Sequence, residues 1–352
     1  MSAIQKVQLV PIEVSPTLEF ESLEQFVRPS KVSWHIRQLL PADSIIVVFG
    51  PPKSGKTFAV TDLVMHGAHG MHWHGHNVKR PLNVAFLAGE GRTGLKVRLH
   101  AWMQEHGTEL KGEFMLLPEA MSLPERYLEI VDALKPQAID VLVVDTLNAY
   151  FGPGDESSTK DMTVVVSAIR SIRQALGCCV IVIHHSGLAD SSRERGSGVL
   201  RGAADGIIQV GKDESGSGLI AFQLVAGRDL EPWAQPLSLR LRRTEVDWKD
   251  DDGLPLSTCI VESGNQPVTL PGRGGQPLGS AQATLLRIAQ DMARTKDADS
   301  KGDVMLIRLD IAEAAKASGM SKQSISSAWQ PMANRGYWRL VEPGAMYIRS
   351  PK

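Results

Sequence analysis

Apolar residues in this chain gather into short unbroken runs rich in Val and Ile: Ser44–Phe49 (SIIVVF), Asn83–Leu87 (NVAFL), Phe114–Leu117, Val141–Val144, Val180–Ile183 and Gly206–Val210. Runs of this kind, lacking the alternation of a half-exposed strand, predict strands of a parallel sheet covered on both faces. Between them lie stretches of helical character: Lys56–Gly67, Arg92–His106, Pro124–Leu134 and Ser158–Leu176. Strand and helix in alternation predict an α/β sheet with crossover connections. A short helix is expected at Trp34–Leu39, after a polar lead-in over residues 1–30.

Beyond Gly218 the pattern changes. LIAFQLVAGR and LSLRLRRTEV predict adjacent antiparallel strands at one sheet edge, and residues 262–280 are dense enough in Gly and Pro to predict a linker. Past it, Ala281–Arg294, Leu309–Ser318 and Ser321–Arg335 predict three helices, and Tyr337–Val341 with Ala345–Arg349 a hairpin. Three helices and a hairpin make a winged-helix pattern. The expected organisation is a lead-in (1–30), a main domain (31–261), a linker (262–280) and a small C-terminal module (281–352), with no internal repeat.

At 352 residues, 43% hydrophobic and 22% charged, the chain has room for one large core and a small one. No apolar run is long enough to span a membrane, and the N-terminus has no secretory pattern. Three cysteines, two of them adjacent (Cys178 and Cys179), give no disulfide framework and fit a reducing, cytoplasmic compartment. From Gly279 onward eleven Lys/Arg face seven Asp/Glu, whereas the rest carries 27 against 32. This mild asymmetry permits a nucleic-acid contact near the C-terminus without demanding one.

The chemistry starts at Gly50-Pro51-Pro52-Lys53-Ser54-Gly55-Lys56-Thr57, followed by Phe58. Gly-x4-Gly-Lys-Thr between a buried strand and a helix is the Walker A phosphate loop for ATP or GTP. Its glycines allow the turn that aims backbone N–H groups at phosphates, and the helix start adds its dipole. Lys56 is placed to reach the β- and γ-phosphates, and the Thr57 hydroxyl to hold Mg2+. Val141–Val144 ends on Asp145, a second Mg2+ ligand or a cap on the next turn. Thr146, not a glutamate, follows it. Glu90, closing the run through Asn83–Leu87, is then the candidate to orient an attacking water, with helix initiation at Arg92 as its plainer reading. Val180–Ile183 ends on His184-His185, a pair that either contacts the γ-phosphate or simply packs.

GPPKSGKT, FLAGEG, VLVVDT, VIVIHHSG and RERGSGVLRGAADGIIQV, in that order, resemble the RecA-like ATPases, and within them the RepA-type hexameric replicative helicases of plasmids and phages. The resemblance spans roughly residues 35 to 245. It implies a mostly parallel RecA-like sheet with helices on both faces, Mg2+ and ATP as cofactors, and Glu90 as catalytic acid on the strand beside the phosphate loop. It further implies His185 as sensor, and a mobile loop over Leu188–Gly202 whose Arg193, Arg195 and Arg201 touch single-stranded DNA. Arg228 matches the arginine finger that relatives insert into a neighbour's ATP, which requires a homo-oligomer, most simply a six-membered ring. The chain departs from them at Ala226, where relatives often carry Lys. Two other readings stay open: a mediator or helicase loader that does not unwind, and a nucleotide-switched DNA-binding regulator.

Two signals are weaker. His66, His69, His72, His74 and His76 crowd together, but no acidic residue or cysteine joins them and the spacing suits an exposed loop more than a metal site. The third C-terminal helix carries short polar residues, with Lys322, Arg335 and Arg339 nearby, suited to duplex DNA or to a protein partner.

Overall fold

The computed structural model describes residues 20–27, 33–107, 109–186, 197–213, 217–270, 280–297, 299, 303–334, 338–341 and 344–349. Two units are distinguished, residues 1–33 and 34–352. In the first, the short helix α1 (Leu23–Phe26) begins on a capping box: Ser22 accepts from the Gln25 N–H and Gln25 accepts from the Ser22 N–H.

The second unit opens on a hairpin, β1 (Trp34–Ile36) and β2 (Leu40–Pro41), where a helix was expected. Ile36, Leu39 and Leu40 are fully buried, and the chain reverses at Gln38 with φ 60°. Six residues close to a proline gain little as an isolated helix, so core packing decides their shape.

The main sheet is built from β3 (Ser44–Gly50), α2 (Lys56–His69), β4 (Val84–Ala88), α3 (Arg92–His106), β5 (Phe114–Leu117) and α4 (Leu123–Leu134). Then come β6 (Val141–Asp145), α5 (Leu147–Tyr150), α6 (Thr159–Leu176), β7 (Cys179–His185), α7 (Val199–Ala203) and β8 (Gly206–Lys212). Three further strands, β9 (Leu219–Gly227), β10 (Leu237–Lys249) and β11 (Pro255–Ser263), complete nine in the order β11-β10-β9-β8-β3-β7-β6-β4-β5. The six strands β3 to β8 are parallel and the last three antiparallel. This is the expected α/β architecture, a mostly parallel sheet with helices on both faces.

The unbroken apolar runs are explained by the two layers they feed. Ile46 and Val48 of β3 join Leu63 and Val64 of α2 on one face, while Ile45, Val47 and Phe49 join Val165 and Ile169 of α6 on the other. Each such side chain removed from water contributes about 1.5–3 kcal/mol, so neither sheet face can be left open.

Two differences concern the later chain. β11 was not expected as a strand, yet it pairs along β10 from Leu239↔Ser263 to Glu245↔Ser257. Part of the expected linker is also tied down: Val268 packs with Leu219 and Ala221, and the Thr269 N–H donates to Asp213 Oδ1 at 3.0 Å.

The C-terminal residues form α8 (Ser280–Arg294), β12 (Asp303–Ile307), α9 (Arg308–Ala317), α10 (Lys322–Asn334), β13 (Arg339–Val341) and β14 (Ala345–Arg349). Their core joins Leu285, Ile311, Ile325, Met332 and Ile348, and the sheet order is β12-β14-β13. β12 adds to the expected three helices and hairpin. Its buried Val304 and Leu306 alternate with exposed Met305 and Ile307, the period of a half-exposed strand.

Candidate nucleotide-binding site

β3 is buried along all seven residues and delivers the phosphate loop to the carboxyl end of the sheet. At Gly50 a Cβ would lie 1.9 Å from the Val210 carbonyl oxygen, so no other residue fits without moving β8. Gly55 caps α2 with φ 95°, the left-handed region that favours glycine. Pro52 and Lys53 are exposed on the loop, Pro51 is half-buried and Ser54 is buried. Lys56 Nζ turns back into the loop and donates to the carbonyls of Gly50 (2.9 Å) and Pro51 (2.8 Å).

Three other strands bring side chains to the same edge. Gly50 is in register with His185 of β7, whose Nδ1 lies 3.4 Å from Lys56 Nζ. Asp145 ends β6, and its Oδ1 accepts from the Thr57 hydroxyl at 3.2 Å. Ala88 of β4 is in register with Asp145, so the chain reaches Glu90 two residues later, where Glu90 Oε1 accepts from the Thr146 hydroxyl at 3.4 Å. Gly89 permits this approach, since a Cβ there would sit 2.4 Å from Ala149 Cβ.

The strand carrying Glu90 is not beside the phosphate-loop strand, as the resemblance implied. β7 and β6 lie between β3 and β4, and Glu90 reaches the site because β4 and β6 end level. Of the two histidines, His185 faces the site and His184 is fully buried.

Burial dominates the electrostatics. It lowers Lys56 to about 8 against the attraction of Asp145. It raises Asp145 to about 6, opposed by the Thr57 hydrogen bond and by the charges of Arg98 and Lys56, and assisted by Glu90. His185 is pushed down by burial and then by Lys56, which keeps its imidazole neutral near pH 7. Buried cation and buried carboxylate thus both fall short of full charge compensation, as suits a ligand that brings an anion to one and a cation to the other. The Ser54 hydroxyl, buried in the loop without a hydrogen-bond partner, fits the same ligand. Mg2+ with a nucleoside triphosphate satisfies both requirements, through Lys56 on the phosphate side and Thr57 with Asp145 on the metal side.

Two contributors escaped the sequence reading. Thr146 was noted only as the residue that is not Glu, yet its hydroxyl orients Glu90. Arg98 of α3 lies over the Phe58 ring at 4.2 Å, and its charge reaches Asp145. The signal was there: Leu95, Arg98 and Trp102 share one helical face, and an arginine inside a buried apolar stripe calls for an explanation.

The remaining candidates lie elsewhere. Arg193 and Arg195 fall outside the described residues, while Arg201 is on α7. Arg228 stands at the opposite edge of the sheet from the phosphate loop. Its N–H donates to the Asp205 carbonyl, the Asp205 N–H donates to Ile45 at the start of β3, and its guanidinium pairs with Asp205 at 3.4 Å. Five residues of strand separate Ile45 from Gly50, about 17 Å at the usual rise.

The histidine cluster is not the exposed loop that its spacing suggested. His66 and His69 are buried on α2 with each Nδ1 bonded to the carbonyl four residues back, at 2.8 Å. An acidic residue does join them: buried Asp62 accepts from Trp73 Nε1 and Trp102 Nε1 at 2.8 Å each and lies 3.3 Å from His74 Nε2. No metal-holding group of His, Cys, Asp and Glu occurs among the described residues. Cys178 and Cys179 are core, their thiols pushed up to about 12 by burial. Among the described residues no helix is long and apolar enough to cross a membrane.

The sequence profile of the AAA domain family matches residues 11–191, half of the chain. No curated protein matches significantly. A KaiC-like protein from the hyperthermophilic archaeon Pyrococcus horikoshii OT3 is similar in structure, with 12% identity over 61% of this chain and 96% of that one and a TM-score of 0.44.

Proposed function

Because the chain belongs to the AAA domain family, and so is a P-loop ATPase, we propose that Mg2+-dependent ATP hydrolysis here drives movement along single-stranded DNA, as a ring-shaped replicative helicase. The observation that carries the hydrolytic part is the meeting of Lys56, Thr57, Asp145, Glu90 and His185 at one sheet edge.

Lys56 leaves its two loop carbonyls to hold the β- and γ-phosphates. Thr57 and Asp145 hold Mg2+, which neutralises phosphate charge when bound. Glu90, exposed at the site mouth and fixed by Thr146, orients the attacking water and receives its proton. His185, neutral and against Lys56, senses the γ-phosphate. The next residue, Ser186, donates its N–H to the Gly50 carbonyl at 3.0 Å, so the chain leaving β7 is fastened to the phosphate loop. That chain continues into the arginine-bearing segment 188–202 assigned to single-stranded DNA, which supports coupling between nucleotide state and strand contact. Arg228, tied through Asp205 to the start of β3 and so away from its own loop, is assigned to a neighbour's ATP in a homo-oligomer. The C-terminal module, read as a winged helix, is assigned to duplex DNA or a protein partner.

The test measures ATP turnover with and without single-stranded DNA, alongside separation of tailed duplexes of both polarities. Stimulated turnover with separation is expected. Stimulation without separation would replace the helicase by a recombination mediator or loader, and unstimulated turnover would remove the DNA motor altogether.

A further inference from the structure

Glu156 lies in the connection between α5 and α6 and is 7% exposed. A carboxylate set so deeply is costly unless hydrogen bonds hold it. Its Oε1 accepts from the Asn148 side-chain amide at 2.8 Å. Its backbone carbonyl accepts from the Ser197 N–H at 3.1 Å. One residue therefore grips two distant parts of the chain, one by its side chain and the other by its backbone.

The turn that presents Glu156 is stiff. The Ser158 N–H donates to the Asp155 carbonyl at 2.9 Å, and the Ser157 N–H to Asp155 Oδ1 at 2.8 Å. The Ser158 hydroxyl caps α6 by accepting from the Asp161 N–H at 3.3 Å, and Asp161 Oδ2 accepts from the Asp155 N–H at 3.1 Å. Moving Glu156 would therefore disturb the start of an 18-residue helix.

Both ends of the grip lead to residues with assigned roles. Asn148 stands in α5, whose N-cap is Thr146, the residue that follows Asp145 and orients Glu90. Ser197 leads into α7: its hydroxyl accepts from the Val199 N–H at 3.4 Å and lies 3.2 Å from the Thr159 hydroxyl. α7 carries Arg201, and its Leu200 and Ala203 pack in the same core as Leu147 and Tyr150 of α5. The tie from Ser186 to Gly50 reaches the phosphate loop, whereas this one reaches the water side of the site.

We propose that Glu156 is a positioning residue that couples strand contact to hydrolysis. With Asn148 it joins α7, where Arg201 is assigned to single-stranded DNA, to the turn from which Thr146 sets Glu90. This rests on the DNA-motor reading above. Because the link ends at the water-orienting acid, strand contact acts through it on kcat and not on the KM for ATP.

The informative substitution is Asn148→Asp, which keeps the shape and replaces the amide donor by a carboxylate facing Glu156. Combining it with Glu156→Gln restores a donor and an acceptor with their direction reversed. ATP turnover by full-length protein is measured with and without an oligothymidine single strand, with binding of that strand and thermal melts in parallel. For Asn148→Asp, basal turnover, the KM for ATP and strand affinity are expected to stay within about twofold. Stimulation of kcat by the strand falls about fivefold or more, the lower end of ordinary coupling between two sites. The double substitution recovers most of it. Unchanged stimulation in a folded Asn148→Asp protein would overturn the proposal. So would basal and stimulated turnover falling in the same proportion, or no recovery in the double variant, since both mark a merely structural contact. If the unaltered protein hydrolyses ATP without any response to the strand, the DNA-motor reading fails and takes the link with it, a result seen before any variant is made.

Discussion

Replacing Asp62 by Leu removes the centre of a buried polar cluster while keeping helix propensity and roughly the volume. Asp62 is 2% exposed and accepts from Trp73 Nε1 and Trp102 Nε1 at 2.8 Å each. Leucine leaves both indole N–H groups buried and unpaired, at about 1–3 kcal/mol each, so the loss is about 2–6 kcal/mol. Against a total stability of about 5–15 kcal/mol this is a large fraction. The two tryptophans report on it directly through fluorescence in urea, and Asp62→Asn, which keeps one acceptor oxygen, should fall between the two. A pH signature accompanies it. Burial opposes ionisation of Asp62, but hydrogen bonds from His66 and His74 outweigh it and hold the carboxyl well below its usual range. His66 is likewise disfavoured by burial yet raised above 6.5 by its hydrogen bond to Asp62. The Asp62 contribution is present above the ordinary carboxyl range and is lost as pH falls through its depressed value. The His66 contribution is complete below pH 6.5 and is lost as pH rises through its raised value. The difference in stability between wild type and Asp62→Leu should therefore narrow as pH rises above neutrality. An unfolding free energy from urea titration for Asp62→Leu within about 1 kcal/mol of wild type would refute the reasoning.

Lys56→Ala should abolish ATP binding in a filter or fluorescence assay, because a buried cation facing the phosphates is lost. Glu90→Ala should still bind ATP but lose turnover by about 10²- to 10⁴-fold; strong residual hydrolysis would remove the water-orienting role. Arg228→Ala should lose turnover alone yet regain part of it when mixed with Glu90→Ala subunits, since a mixed pair contains one complete site. No recovery in that mixture would count against action between subunits.

How much of this was legible in the sequence varies with how local each feature is. The parallel strands were readable because residues buried on both faces leave unbroken apolar runs, and Arg92–His106 was placed to the residue. The phosphate loop and Asp145 follow from local motifs at strand ends. Trp34–Leu39 was misread because six residues carry too little periodic signal against the burial of Ile36, Leu39 and Leu40. Strand order is set by crossovers that leave no local trace, so the position of Glu90, with two strands between its own and β3, was not available. The histidine cluster failed in a similar way. Asp62 lies four residues before His66, one helical turn, but Trp73 and Trp102 reach it only through tertiary packing. Arg98 shows a subtler limit: its helical face was readable, whereas its charge partner sits at the end of a strand 47 positions later.

The placement of Arg228 near the start of β3, with Gly50 at its end, has a consequence for assembly. A copy has its phosphate loop at one edge and its arginine at the other, so if Arg228 acts on a neighbour's ATP, as proposed, the two surfaces that meet are different ones. A twofold pair, in which both copies present the same patch, leaves the exchange incomplete. Under that proposal association runs head to tail, each copy donating forward and receiving from behind. Such a chain of contacts ends only when its last member meets its first, so turnover per subunit should climb with protein concentration until rings close.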